Sequence, residues 1–284
     1  MPAAHELLAE GRRRLAGLPG SDPALEARVL LRRASGFTEM ELLAFPGRPV
    51  PMSGARRYRR SIARRAARVP FAYILGEREF WSIPLAVGPG VLIPRPETEL
   101  LVETVLDLAE DGEETIAEIG TGSGAVAVAL AKEMPGVRII ATDISGRALG
   151  WARKNASRQG AGNIEFRAGD LFAPLRRPPI PGGFDLLVSN PPYVAEAEWR
   201  RLEPEVRDFE PKPALVAGPT GLEIIARLVA GAPEFLKPGG RLVFEIGRGQ
   251  AGAVRALLRR PWMDVLFKKD LRGIPRTVVA RLGV

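Results

Sequence analysis

The sequence predicts an α/β protein in two parts: a small N-terminal helical bundle and then a seven-stranded, doubly wound open sheet. Three observations carry this expectation. Strand-like apolar runs alternate with helix-like stretches from Glu97 onward, the first 75 residues carry helical patterns only, and Gly and Pro punctuate the spaces between elements. With 284 residues, 46% of them hydrophobic and 26% charged, the chain is long enough for one large or two ordinary domains and has a globular balance.

In the first part, "AAHELLAEGRRRLAGL" places apolar residues at helical spacing. "SDPALEARVLLRRASG" opens on an Asp-Pro start signal and stops at Gly36, and "FTEMELLAF" is short. Pro46, Pro49 and Pro51 set these apart from "ARRYRRSIARRAARVPFAY". There Tyr58, Ile62, Ala66 and Val69 share one helical face, while Arg56, Arg57, Arg60, Arg64 and Arg68 take the others. The next stretch, "FWSIPLAVGPGVLIPRPETE", changes character, with extended apolar pairs broken by Gly and Pro, and predicts a hairpin linker. The expected division is a helical docking domain over 1–75, a linker over 76–96 and the sheet domain over 97–284.

The sheet domain should begin with a helix over "ETELLVETVLDLAEDG", followed by a strand at "TIAEIG", a helix from about Gly124 to Met134 and a strand at "VRIIATD". A helix from Ser145 to Gln159 and strands at "NIEFRA" and "FDLLVS" come next. After them the pattern predicts a helix from about Gly221 to Phe235, a strand at "RLVFEIG", a helix through "AGAVRALLRR" and strands at "MDVLFKK" and "RTVVARL". Repeated strand-helix pairs imply parallel strands joined by right-handed crossovers. The segment from Val194 to Pro219 shows no clear element and is expected to act as a lid.

Composition removes several classes of function. No apolar run approaches the ~18 to 20 residues of a membrane span, and Met1 to Leu18 is too charged for a signal peptide, so a cytoplasmic protein is expected. With no Cys and a single His, His5, the chain has no disulfide framework, no thiolate metal site and no histidine machinery, and no metal is expected. A net charge of +8 invites a nucleic-acid partner. The Arg-rich helix reads either as a solvated face or as a docking surface for an acidic protein or RNA, so nucleic-acid contact is permitted but not required.

In a doubly wound sheet the ligand lies beyond the carboxyl ends of the strands, at the switch in strand order. The first strand runs into "EIGTGSGA", with Glu118, Gly120, Thr121, Gly122, Ser123 and Gly124 leading into a helix. Glycine permits positive φ and close approach of a ligand, and free N–H groups at the helix start are expected to face an anionic group. Asp143, about twenty residues on, ends the second strand where it can accept from both hydroxyls of a ribose. Asp170, after the third strand, can meet the exocyclic amine of a base or serve as a turn residue. Gly120, Gly122 and Ala125 also fit the dinucleotide form G-x-G-x-x-A, so a nicotinamide-dependent enzyme stays open at this point.

The stretch "FDLLVSNPPYV" narrows the choice. Asn190 and Pro191 each precede a proline, which drives both into extended geometry and stiffens the end of the fourth strand. The Asn190 side-chain oxygen and the Pro191 carbonyl then point in set directions, two acceptors suited to a planar NH2 group. They would orient its nitrogen and favour the positive charge that develops on it, with the Tyr193 ring against its flat face.

These residues resemble the S-adenosylmethionine-dependent methyltransferases of planar amino groups, whose members carry N-P-P-Y or D-P-P-Y. That set includes adenine-N6 and cytosine-N4 nucleic-acid enzymes and protein glutamine methyltransferases. "VPFAYILGEREFW", "VGPGVLIPRPETELLVE", "EPEVRDFEPKPALVAGPTGLEII", "KPGGRLVFEIGRGQ" and "KKDLRGIPRTVVARL" resemble the release-factor glutamine N5-methyltransferases, over roughly residues 65 to 284. The ribosomal-protein glutamine enzymes are similar, and the run Ile93 to Glu99 favours the release-factor type. The resemblance implies a Rossmann-like methyltransferase fold, S-adenosyl-L-methionine as cofactor, class I peptide chain release factors as partners and a monomer. It implies that Glu118, Gly120 to Gly124 and Asp143 hold the methionine and ribose parts and that Asp170 and Leu171 flank the adenine. Asn190, Pro191, Pro192 and Tyr193 would grip the substrate amide, with Asn190 also near the cofactor, and Pro94, Arg95, Pro96 and Glu97 would wall the entrance.

Overall fold

Capping chemistry sets the helices of the first 76 residues in the computed structural model, which describes residues 1–109, 115–176 and 178–283. They are α1 (Ala4–Leu15), α2 (Pro23–Ser35), α3 (Glu39–Ala44), α4 (Met52–Ala66) and α5 (Phe71–Leu75). The Asp22 carboxylate accepts from the N–H groups of Ala24 and Leu25, both at 3.0 Å, and Gly36, at φ 79°, ends the same helix. Leu7, Leu15, Leu30, Leu31, Tyr58 and Ile62 bury their side chains together. The Tyr58 hydroxyl donates to the Leu7 carbonyl at 3.0 Å, which satisfies the one polar atom that this core residue brings with it.

The compact unit built on these helices comprises Met1–Gly76 together with Pro204–Phe209. Glu205, from the second of these segments, explains an arginine that the helical pattern did not single out. Arg65 is buried, with Nε 2.8 Å from Glu26 and Nη1 3.0 Å from Glu205, and Arg68 lies 2.7 Å from the same Glu205. Arg68 has also left the helix, at φ 67°, so it is not part of a solvated helical face as its spacing suggested. A buried guanidinium needs carboxylate partners, and these come from distant parts of the chain.

The second unit is Glu77–Glu203 with Glu210–Val284. It opens with the hairpin of β1 (Glu77–Phe80) and β2 (Ile83–Ala86), whose two turn residues, Trp81 and Ser82, both take positive φ, the geometry that suits the twist of paired strands. The hairpin therefore starts this unit. A single 3-10 turn, Pro96–Thr98, leads into α6 (Glu99–Leu108); the expected end of this helix near 110–112 lies outside the described residues. Then follow β3 (Thr115–Ile119), α7 (Ala125–Glu133), β4 (Arg138–Asp143), α8 (Gly146–Gln159), β5 (Ile164–Ala168) and β6 (Phe184–Ser189).

The segment expected to lack regular structure contains β7 (Val194–Ala195), α9 (Glu196–Trp199), α10 (Pro204–Phe209) and β8 (Val216–Gly218). β7 and β8 pair in parallel. Elements of two to six residues are too short for periodicity to register, which is why the sequence reading missed them. The unit ends with α11 (Glu223–Gly231), β9 (Leu236–Glu245), α12 (Ala251–Leu257), β10 (Trp262–Lys269) and β11 (Pro275–Leu282).

The seven-stranded sheet has the order β10-β11-β9-β6-β3-β4-β5. The pairs β4–β5, β3–β4, β3–β6 and β6–β9 are parallel, while β11 lies antiparallel between β9 and β10. The sheet is thus mixed, because β10 and β11 follow each other without a crossover helix. Successive residues of β3 show burial on both faces: Ile116 packs with α6 and α7, and Ala117 with the side of α11 and α12. Order reverses between β3 and β6, which opens the crevice at the ends of β3, β4 and β6. Among the described residues no helix is long and apolar enough to cross a membrane.

Candidate active site

A cleft of about 420 Å³ opens at that switch point, a size suited to a small cofactor. Gly120, Gly122, Asp143, Asp170, Leu171, Asn190, Pro191 and Pro192, all named from sequence, line it. Glu118, Thr121, Ser123 and Gly124 do not. The Glu118 carboxylate is buried, accepts the Thr121 hydroxyl at 2.5 Å and is pushed up to about 7, chiefly by loss of water. Gly124, at φ 80°, stands where a Cβ would come within 3.1 Å of Ala152, so this position brings helix α8 close to the loop.

The glycine loop differs from expectation in one respect that matters. Several of its N–H groups are already occupied: those of Gly120 and Thr121 donate to the Thr142 carbonyl at 2.9 and 2.8 Å, and that of Gly124 to the Thr121 carbonyl at 2.8 Å. The Gly122 N–H donates to Asp143 Oδ2 at 2.8 Å. The N–H groups of Gly120, Thr121 and Gly122 are thus taken up within the protein, and the glycines offer a ligand close packing against the backbone. Asp143 Oδ1 accepts from Ser145 N–H at 2.8 Å. A carboxylate has about four acceptor positions, and these two backbone bonds leave about one on each oxygen for a vicinal diol.

Desolvation raises the Asp143 carboxyl above its usual range, against the pull of the two N–H groups. Asp170 and Leu171 form the far wall. The Asp170 carboxylate is paired with Arg227 at 2.5 Å, and Leu171 sits at φ 44°, a strained conformation for a side chain of its size. Arg227, Ile144 and Leu92 also line the cleft and were not foreseen; Ile144 directly follows Asp143, and that adjacency is the signal that could have found it.

A small recess continues from the cleft, walled by Arg95, Asn190, Pro191, Pro192, Tyr193 and Leu215. Of the expected entrance residues, Arg95 stands here, whereas Pro94 is buried and Pro96 and Glu97 line neither cavity. The buried Glu210 holds this edge: its carboxylate accepts from the Ile93 N–H at 2.9 Å and from Arg95 at 2.6 Å. Pro211 and Pro213, which follow it, complete the cleft wall, so part of the expected lid does face the site.

Beneath the recess lies a polar chain. Asn190 Nδ2 donates to Thr98 Oγ1 at 3.0 Å, Thr98 Oγ1 donates to Glu245 Oε2 at 2.7 Å, and the Tyr193 hydroxyl donates to Glu245 Oε1 at 3.1 Å. Burial pushes the Glu245 carboxyl up, opposed by the two hydroxyls and by Arg276, and pushes the Tyr193 phenol up as well. Thr98 and Glu245 were not among the residues named from sequence.

A switch-point cleft with an Asn-Pro-Pro-Tyr turn at its edge defines a methyltransferase. A model of the methyltransferase small domain matches residues 96–202, and one of the PrmC N-terminal domain matches residues 6–76. The release factor glutamine methyltransferase of Koribacter versatilis is 43% identical over 261 residues, 91% of each chain. That of Nitratidesulfovibrio vulgaris is 41% identical over 280 residues, 97% of this chain and 94% of its own. The chain belongs to the release factor glutamine methyltransferase family. The solved hMettl16 catalytic domain shares the fold, with a TM-score of 0.59 at 17% identity over 79% of this chain and 81% of its own.

Proposed function

We propose that this protein methylates the side-chain amide nitrogen of the glutamine in the Gly-Gly-Gln motif of class I peptide chain release factors, with S-adenosylmethionine as methyl donor. The observation that carries the reading is the rigid turn from Asn190 to Tyr193, which lines both the cleft and the adjoining recess. Family membership over more than nine-tenths of the chain supports the substrate.

S-adenosylmethionine, when bound, supplies an electrophilic methyl group. Its ribose fits the two acceptor positions left on Asp143, and its remaining parts fit the glycines of the loop on one side and Ile144, Asp170 and Leu171 on the other. Asn190 Oδ1 and the Pro191 carbonyl accept the two hydrogens of the glutamine NH2, and Tyr193 packs against the amide plane. An amide nitrogen is a weak nucleophile, so these residues act by holding it in line and by favouring the positive charge that grows on it. No strong base is required, because the proton leaves readily once nitrogen is cationic.

The helical unit, Met1–Gly76 with Pro204–Phe209, serves to dock the release factor, and the enzyme works as a monomer in the cytoplasm. The deciding experiment offers purified enzyme and methyl donor a release factor, a ribosomal protein and DNA side by side. Mass spectrometry should find one methyl group on the Gly-Gly-Gln glutamine of the release factor. Methylation of another residue, or of DNA, would overturn the assignment.

A further inference from the structure

We propose that Thr98 and Glu245 are positioning residues that decide which way round the Asn190 amide stands, and thereby make its oxygen, not its nitrogen, face the substrate. The inference rests on the reading of Asn190 as an acceptor for the substrate NH2. It concerns what enforces that role.

An amide side chain is nearly symmetric in shape and opposite in polarity at its two ends. Turned the wrong way, Asn190 would present NH2 to NH2 and repel the group it should hold. The turn at Pro191 and Pro192 stiffens the backbone but cannot tell the two ends apart. Something must read polarity.

The buried chain behind Asn190 does so. Thr98 is 4% exposed and Glu245 1% exposed, so neither can exchange its partner for water. Ionised Glu245 only accepts; the single Thr98 hydroxyl hydrogen must therefore go to Oε2, 2.7 Å away. What remains on Thr98 Oγ1 is a lone pair, and only the NH2 end of Asn190 can satisfy it, at 3.0 Å. Oδ1 is then directed away from Thr98. If Glu245 were neutral and donated to Thr98, the hydroxyl would donate to Asn190 Oδ1 and the amide would reverse. The charge on Glu245 thus sets the polarity of a group two hydrogen bonds away.

The other groups around Glu245 are consistent with a retained charge. Burial, and after it Glu97, push the carboxyl up, while the Thr98 hydroxyl, the Tyr193 hydroxyl at 3.1 Å from Oε1 and Arg276 favour the carboxylate. A buried carboxylate costs stability relative to a neutral group of the same shape. Its presence beneath the recess is explained by what it does to Asn190. The four residues come from three separate segments: the 3-10 turn before α6, the turn after β6 and the end of β9.

Variants at Thr98, Glu245 and Asn190 test this, with kcat, KM, cofactor affinity and melting temperature measured for each. Thr98→Val keeps shape but removes the hydroxyl, and kcat should fall by about tenfold or more while cofactor affinity holds. Thr98→Ser keeps the hydroxyl and should stay within about threefold of the parent. Glu245→Gln removes the charge but not the volume; kcat should fall by about tenfold while the melting temperature does not drop. Asp has acceptors at both ends, so Thr98→Val should cost Asn190→Asp enzyme far less than it costs the parent. If Asn190→Ala is as fast as the parent, the acceptor role itself is wrong. If Asn190→Ala is slow but Glu245→Gln and Thr98→Val match the parent in kcat, the relay is overturned. Should Thr98→Val not fold, Thr98→Ala, which also lacks the hydroxyl, takes its place.

Discussion

Replacing Asp143 by Ala should separate two jobs that one carboxylate performs. Its Oδ2 holds the Gly122 N–H and its Oδ1 the Ser145 N–H, each at 2.8 Å, so it fastens the glycine loop to the start of α8. The acceptor positions left over face the cleft that Asp143 lines. If they take the ribose diol, their loss should weaken S-adenosylmethionine binding by ~1.5 to 3 kcal/mol, or roughly 10- to 150-fold in Kd. Loss of the fastening should lower the stability of the ligand-free protein by about 1 to 3 kcal/mol, because two part-buried N–H groups lose a charged partner. Calorimetry with S-adenosylmethionine measures the first effect and thermal unfolding without ligand the second. Asn at 143 keeps the volume, but one end of its amide must oppose a backbone N–H or turn to the diol, so it should also bind more weakly than the parent. A variant that melts earlier yet binds S-adenosylmethionine within about twofold of the parent would reduce Asp143 to a loop fastener and refute the ribose assignment.

Asn190→Ala should lower the methylation rate by ~10² or more with a much smaller change in cofactor affinity, and Asn190→Asp should keep partial activity; an Ala variant as fast as the parent would defeat the motif's assigned role. Glu118, usually near 4.5, is pushed up to about 7 by burial, so the fold favours its protonated form. That contribution is complete below the unfolded value and lost as pH rises through about 7, so Glu118→Gln should melt higher than the parent at about pH 8.5, by on the order of 3 kcal/mol, and alike at about pH 4; equal midpoints at both would remove Glu118 as a source of pH dependence. Arg65→Ala should destabilise the helical unit by ~3 kcal/mol, since Glu26 would stay buried without its cation while Glu205 keeps Arg68, and chemical denaturation that gave a parental midpoint would contradict the burial argument.

Much of the cleft was legible in the chain because its parts are local. The glycines after β3, Asp143 at the end of β4 and the Asn190 to Tyr193 turn after β6 are each written in a few adjacent residues, and the alternation of strands and helices says where such residues must meet. Which of the loop's donors are occupied was not legible in the same local way. Gly120, Thr121 and Gly122 could form an anion cradle in isolation, but the Thr142 carbonyl and the Asp143 carboxylate, on the neighbouring strand and its edge, occupy their N–H groups. Whether a backbone donor is free depends on what lies across from it.

The sequence by itself determined the class of fold, the seven strands, the helical first part and part of the cleft lining, because hydrophobic period and turn chemistry act over a few residues. Only the tertiary structure decided the buried polar partnerships. Thr98 meets Glu245 across 147 positions of chain, Arg65 meets Glu205 across 140, and Ile93 meets Glu210 across 117. Away from water a charge or an amide must find a partner wherever the fold brings one, and no local pattern records that meeting. The turns at the edge of the site therefore read from the chain, and the hydrogen bonds that join Asn190 to Thr98 and Glu245 read only from the fold.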